Sequence, residues 1–371
     1  MSTVTISKAG QAARAEGQRL FGAFQNWGAV PVEAAVLQPA GTLLDLYGED
    51  IRARAYVTQD PVQGEMMLRP DFTVPVVQAH MADGAEPARY CYLGEVFRKQ
   101  EGLSGARAAE YLQVGYEVFD RDQPLRSDAE VFALFARLLA GRGLRAATGD
   151  IGILRAAVAG LPTSDTRKAA LMRHLWRPAR FRALLERYAG RTPMPTGRTD
   201  LLARLAAGEP VFGDAPQIGL RSRAEIEARM ARLAEDAATP AIPSDLVDGL
   251  EALLSVADVA PAALVQMRAF AVDMPWISPS LDLFEQRLTV LAAHGVDVET
   301  LQFEASYGRT TLEYYDGFVF GFFAEGRDDL PPVAGGGRYD ALTAVLGQGR
   351  FIPAVGGVIR PALLAELGGT A

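Results

Sequence analysis

With 371 residues, 49% of them hydrophobic, the chain is long enough for two or three domains and a sizeable buried core. Its net charge of -8 includes no dense run of like charge, so an extended nucleic-acid-binding surface is disfavoured. One cysteine, Cys91, rules out an internal disulfide, His80, His174 and His294 lack metal-ligand spacing, and no run approaches the roughly 20 apolar residues needed to cross a bilayer.

The first segment, "SKAGQAARAEGQRLFGAFQNWG", sets Leu20, Phe21, Phe24 and Trp27 at helical spacing and closes on Gly28, which predicts a helix with one buried face and a glycine C-terminal cap. From "MMLRPDFTVPVVQAH" through "ARYCYLGEVFRKQ" to "AAEYLQVGYEVFD" the pattern changes to short β-rich runs broken by proline and glycine, which predicts strands of one sheet. Alternation in "YLQVGYEVF" puts Leu112, Val114, Tyr116 and Val118 on one face and Tyr111, Gln113, Gly115, Glu117 and Phe119 on the other. The first face is core. The second sets two polar groups about a glycine, a pattern shared by solvated faces and by places where a ligand approaches the backbone.

"RSDAEVFALFARLLAGRG" predicts the next helix, with Ser127 and Glu130 in capping-box spacing, an apolar face of Val131, Leu134, Phe135 and Leu138, and a stop at Gly141. Residues 151–294 carry Ala, Leu, Arg and Glu at helical spacing, interrupted at "RTPMPTGRTD" and "ATPAIPSD", and predict a mainly helical insertion between two parts of a core, 1–150 and 295–371. Strands resume in "LQFEASYGRTTLEYYDGFVFGFFAEG", where Glu313, Tyr315, Gly317, Val319 and Gly321 alternate with Tyr314, Asp316, Phe318, Phe320 and Phe322. The last runs, "AGGGRYDAL" and "PAVGGVI", are glycine-rich, but they lack the Lys-Ser/Thr of a P-loop and the dinucleotide fingerprint. Glycine-thinned, polar-dotted strands on both sides of the helical block predict a sheet with a ligand on its open face.

Four runs in this order, "LRPDFT" (68–73), "GEVFRKQEG" to "EYLQVGYEVF" (94–119), "TTLEYYDGFVF" (310–320) and "AGGGRYDAL" to "PAVGGVI" (334–359), resemble the catalytic core of a class II aminoacyl-tRNA synthetase, and histidyl-tRNA synthetase most closely. The resemblance implies an α+β fold, an antiparallel sheet flanked by helices, that dimerises near its N-terminal third. It also implies a histidine site in which Asp71, Thr73 and Gln113 face the amino-acid backbone while Glu117, Tyr315 and Tyr339 surround the side chain. Such residues suit the ligand, which needs partners for an ammonium, a carboxylate and an imidazole. Strand alternation places Tyr314 on the opposite face from Tyr315.

The departures from the synthetase pattern point away from catalysis. Amino-acid activation needs cations where charge develops on the ATP phosphates. Arg98 matches the first strand arginine of the class, and Arg98 with Arg107 is read as a vestigial ATP site, but Leu363 stands near the position of the second and Arg360 lies three residues early. Thr310 replaces the arginine that precedes the paired tyrosines, with Arg309 one residue out of register, and Gln100 replaces an acidic residue, followed by Glu101. The sequence ends at Ala371, where a synthetase would continue into an anticodon-binding domain.

This combination resembles the regulatory subunits of ATP phosphoribosyltransferase, the first enzyme of histidine biosynthesis. The resemblance implies a cytoplasmic, non-catalytic protein without metal or cofactor, tRNA or membrane. It would self-associate as a homodimer, assemble with a short-form catalytic subunit and take histidine as its ligand. The alternative is a short histidine-activating enzyme, which needs the missing arginines.

Overall fold

The computed structural model of the protein describes residues 8–41, 55–99, 108–212, 219–309 and 314–368. Its strands are, in chain order, β1 (Val30–Pro31), β2 (Leu37–Pro39), β3 (Val57–Asp60), β4 (Gly64–Leu68), β5 (Ala88–Phe97), β6 (Glu110–Phe119), β7 (Leu144–Asp150), β8 (Ala257–Val259), β9 (Gln302–Glu304), β10 (Phe318–Ala324), β11 (Ala334–Arg338) and β12 (Ala354–Ile359). Nine of them form one sheet in the order β1-β5-β6-β12-β11-β10-β7-β9-β8, and a small sheet runs β2-β4-β3. From β5 to β7 every neighbouring pair is antiparallel, while β1 and β9 add parallel edges.

Period-2 alternation gives this sheet two different faces. On one, Val114, Tyr116 and Val118 of β6 and Phe318, Phe320 and Phe322 of β10 join the main core with Leu20 and Phe24 of helix Lys8–Asn26 and with helix Pro124–Leu139. Phe132 and Phe135 of that helix each meet Phe320 at 5.5 Å between ring centroids, an edge-on contact that adds about 0.5–1.5 kcal/mol to the burial of the rings. The other face carries Tyr92, Phe119, Tyr315, Val319 and Tyr339, covered by helices Thr73–Asp83 and Asp340–Leu346.

The first helix ends as expected, with Gly28 in the left-handed region at φ 90°. Three local expectations fail for identifiable reasons. "TVPVVQAHMAD" is helix rather than strand: Val74, Val77 and Met81 recur at helical spacing and are buried, and Pro75 sits in the first turn, where a missing N–H costs nothing. Met66–Leu68 before it is a strand, but of the small sheet. The helix predicted from Ser127 begins at Pro124, so the Ser127/Glu130 pair lies inside it. Ser127 Oγ donates back to the Gln123 carbonyl at 3.2 Å, and Glu130 reaches the sheet, accepting from Arg89 and from the Tyr116 hydroxyl at 2.7 Å. Finally, Tyr314–Gly317 precede β10 rather than extending it, so period-2 alternation does not apply to the tyrosine pair.

The described residues of 151–293 are helical apart from loops and β8, which pairs with β9 at the sheet edge. Helix Ser278–Ala293 returns to the core through a buried ionic cluster. Arg287 Nε donates to Asp128 Oδ2 at 2.9 Å and its Nη1 to Asp150 Oδ2 at 2.6 Å. Arg338 of β11 holds the other Asp128 oxygen through Nη2 at 2.7 Å and Asp340 Oδ1 through Nη1 at 2.9 Å. Asp128 is fully buried, so an uncharged replacement removes the carboxylate that the two guanidinium groups share and leaves each with one, Asp150 for Arg287 and Asp340 for Arg338. Asp128→Asn is expected to lower unfolding free energy by about 1–3 kcal/mol in urea denaturation at neutral pH. Asp329→Asn, which breaks an exposed pair with Arg327, is expected to leave the midpoint unchanged within error.

Candidate functional site

β6 lies between β5 and β12, and its second face brings Gln113 and Glu117 into the interior, each 1% exposed. Two glycines make room for this. Tyr92 of β5 stands directly opposite Gly115, and a methyl group at that glycine would overlap the Tyr92 ring. Gly356 of β12 stands opposite Glu117, and a methyl group there would overlap the carboxylate. Gly115, read from the sequence as a place for a ligand, therefore makes room for the protein's own tyrosine.

Three hydroxyls donate to the buried carboxylate: Tyr92 to Oε1 at 2.9 Å, Thr73 to Oε1 at 3.0 Å and Tyr339 to Oε2 at 2.6 Å. Burial pushes the Glu117 carboxyl up to about 7, against the opposing pull of the Tyr339, Tyr92 and Thr73 hydroxyls. Burial also holds Tyr92 and Tyr339 well above the usual phenol range, reinforced by Glu117, so both remain donors. Asp71 is buried at the start of helix Thr73–Asp83, where Oδ1 accepts from the Val74 N–H at 3.4 Å. Tyr315 is buried beside the cluster. Tyr314, expected on the opposite face, packs edge-on against both Tyr315 (4.9 Å) and Tyr339 (5.9 Å), because the backbone there is not a strand.

Next to this cluster is a cavity of about 260 Å³ whose walls include Arg98, Gln113, Tyr307, Tyr315, Arg360 and the bare backbone of Gly335 and Gly336. Gln113 Oε1 is buried without a hydrogen-bond partner among the described residues. Arg98 Nε donates to the Pro70 carbonyl and Arg360 Nη1 to the Pro332 carbonyl, both at 2.8 Å, which fixes the two guanidinium stems at the cavity. Arg360, expected out of place, lines the site after all, while Leu363 is buried in the apolar core. Arg309 does point elsewhere, its Nε donating to the Leu175 carbonyl at 2.9 Å.

Of the residues proposed from sequence, Thr73, Glu117 and Tyr339 are joined by direct hydrogen bonds, Tyr315 and Asp71 adjoin them, and Gln113 and Arg98 line the cavity. Arg107, Gln100, Glu101 and Thr310 lie outside the described residues. Tyr92 and Tyr307 were not anticipated. Tyr92 was accessible in principle, since a β5–β6 hairpin pairs it with Gly115, whereas Tyr307 comes from an irregular turn with no periodic signal.

A histidyl-tRNA synthetase family model matches residues 7–238 and 221–362. An ATP phosphoribosyltransferase regulatory subunit from Agrobacterium fabrum is 35% identical over 343 residues, covering 88% of this chain and 89% of the relative. The subunit of the same name from Brucella anthropi is 35% identical over 347 residues, with the same coverage of both chains. The chain belongs to the family of ATP phosphoribosyltransferase regulatory subunits.

A crystal structure from Bacillus halodurans, described as an ATP phosphoribosyltransferase regulatory subunit/histidyl-tRNA synthetase, superposes with a TM-score of 0.68 at 21% identity, over 99% of this chain and 81% of that one. That likeness gives the fold: the sheet and flanking helices are those of a histidyl-tRNA synthetase-like core. In this member of the regulatory-subunit family, Glu117 accepts from three of the protein's own hydroxyls, while Gln113 Oε1 has no partner among the described residues.

Because the Glu117 carboxyl rises from 4.5 to about 7 on folding, the folded chain holds that proton more tightly than the unfolded one. Its stabilising contribution is complete below about pH 4.5 and is lost as pH rises through about 7, a change of at most ~3 kcal/mol at about 1.4 kcal/mol per unit. Glu117→Gln is expected to flatten the pH dependence of the urea midpoint across this window. An unchanged slope would show that Glu117 does not titrate there.

Proposed function

We propose that this chain is the regulatory subunit of ATP phosphoribosyltransferase, forming a homodimer that assembles with a short-form catalytic subunit. It supports the first step of histidine biosynthesis without transfer chemistry of its own, and it binds histidine as the feedback ligand. The reading rests on the regulatory subunits that share 35% identity over 88% of the chain. On the same reading, residues 1–150 and 295–371 form the ligand-binding core, 151–294 are the insertion, and neither tRNA nor membrane is a partner.

For the histidine site, the observation that carries the proposal is the unpartnered Oε1 of Gln113 in a cavity with two arginines. A buried acceptor left unmade costs about 1–3 kcal/mol, which an amino acid's ammonium would recover by donating to it. The ligand's carboxylate then meets Arg98 or Arg360, and its imidazole is directed past Tyr315 toward the Glu117 cluster. Feedback requires only that histidine bind one state of the complex better than the other, and a coupling of about 1–3 kcal/mol is typical.

The presence of Arg98 and Arg360 on one cavity adds support to the second reading, a histidine-activating enzyme. Histidine-dependent exchange between ATP and pyrophosphate separates the two, and the regulatory reading expects none. The deciding experiment is co-expression with a short catalytic subunit, with phosphoribosyl transfer to ATP measured in its presence and absence. Stimulation and co-purification are expected; the absence of both overturns the assignment. In calorimetry, Gln113→Leu should weaken histidine binding about tenfold or more, and feedback that survives this change at full strength would move the inhibitory site elsewhere.

A further inference from the structure

The buried group that the proposed function leaves unused is Arg309. Gly308, at φ 91°, turns the chain after Tyr307, and Arg309 runs beneath helix Pro178–Tyr188. The residue is 6% exposed. Its Nε is held by the Leu175 carbonyl at 2.9 Å and its guanidinium lies over the Phe181 ring at 4.9 Å. Its Nη2 is buried and makes no hydrogen bond. Among the described residues no carboxylate is paired with it. Burial, with the like charge of Arg182 added to it, draws the guanidinium down to about 10. A buried cation without a counter-charge is costly, and a polar group left so in a folded chain calls for a partner that binds from outside.

The space for such a partner is present. Arg309, Phe181, Arg182, Ser306 and Tyr307 line a cavity of about 560 Å³, in the size range of small-molecule sites. We propose that this cavity is a second ligand site, in which Arg309 binds the oxyanion group, carboxylate or phosphate, of a small metabolite. The guanidinium is held at the cavity wall, with Nε anchored on the Leu175 carbonyl and the face on Phe181, while Nη2 is enclosed and unpartnered among the described residues. Glu251 and Glu304 also line the cavity, Glu251 engaged by Arg182 at 3.4 Å, so the site selects a single anionic group and repels polyanions. The cavity is separate from the Gln113 cavity but shares Tyr307 with it, so one aromatic ring forms part of both walls.

The test uses the full chain in chloride-free buffer at matched ionic strength, titrated with sodium acetate or inorganic phosphate and followed by thermal denaturation and calorimetry. Acetate or phosphate should raise the wild-type Tm, the effective anion showing which oxyanion the site takes. Arg309→Met should abolish the response while raising the Tm without ligand, since an apolar chain replaces an uncompensated buried cation. Arg309→Lys keeps the charge but loses the planar fork, and should weaken the response about tenfold, which decides the matter even if the methionine variant does not fold. Binding at Arg98 and Arg360 would survive these substitutions. A wild type indifferent to both anions, or variants that respond as the wild type does, overturn the proposal.

Discussion

The side chain of Asp128 has a guanidinium on each oxygen, Arg287 on one and Arg338 on the other, in a region without solvent. Through those two bonds a helix of the sheet's apolar face, a glycine-rich strand and the last long helix of the middle region are held together. The cluster continues to Asp150, whose second oxygen caps helix Ile151–Ala159 by accepting from the Gly152 N–H, and to Asp340, which accepts from the Ala354 N–H. The bonds at Asp128 are buried and those at Asp150 and Asp340 partly so, and the geometry is fixed by hydrogen-bond direction as much as by charge. The placement of Tyr339 follows from it, because Arg338 and Asp340, its neighbours on both sides, belong to the cluster.

With the strands so placed, the polar interior divides into a closed part and an open part. Glu117 has all its near donors supplied from Thr73, Tyr92 and Tyr339, which is the arrangement of a structural carboxylate held ready rather than of an exposed base. Gln113, four residues earlier on the same strand and face, has a carbonyl with no partner among the described residues and lines a cavity. Alternation puts both on one face, but only the neighbouring strands decide which of them meets empty space.

Much of this was legible in the sequence. Period-2 alternation in "YLQVGYEVF" assigned both faces of β6 correctly, because a strand paired on both sides has little freedom to depart from it. The same rule failed at Tyr314, where the chain is irregular, and propensity failed at Thr73–Asp83, where β-branched residues bury a helix face. The purpose of Gly115 could not be read from its own strand, since the group it admits, Tyr92, is brought there by pairing. Arg360 was misplaced because counting along the chain cannot show where a long side chain ends, whereas Leu363 proved apolar and buried as its position on a helix demands. Arg309 was noted only as out of register, and its isolation emerges from the helix folded over it.

Gly336 and Gly337 of β11 and Gly356 and Gly357 of β12 lie side by side, and at each a methyl group would run into backbone, an aromatic ring or the Glu117 carboxylate. Alanine, the mildest replacement elsewhere, is here a collision. The wall is graded rather than uniform: Gly336, Gly337 and Gly356 have backbone within 3.0 Å of an added methyl group, Gly357 would need its neighbours to give slightly, and Gly335 has room. Change in what the cavity can hold is therefore open to its side-chain wall, Arg98, Gln113, Tyr307 and Arg360, and to Gly335, but closed at Gly336.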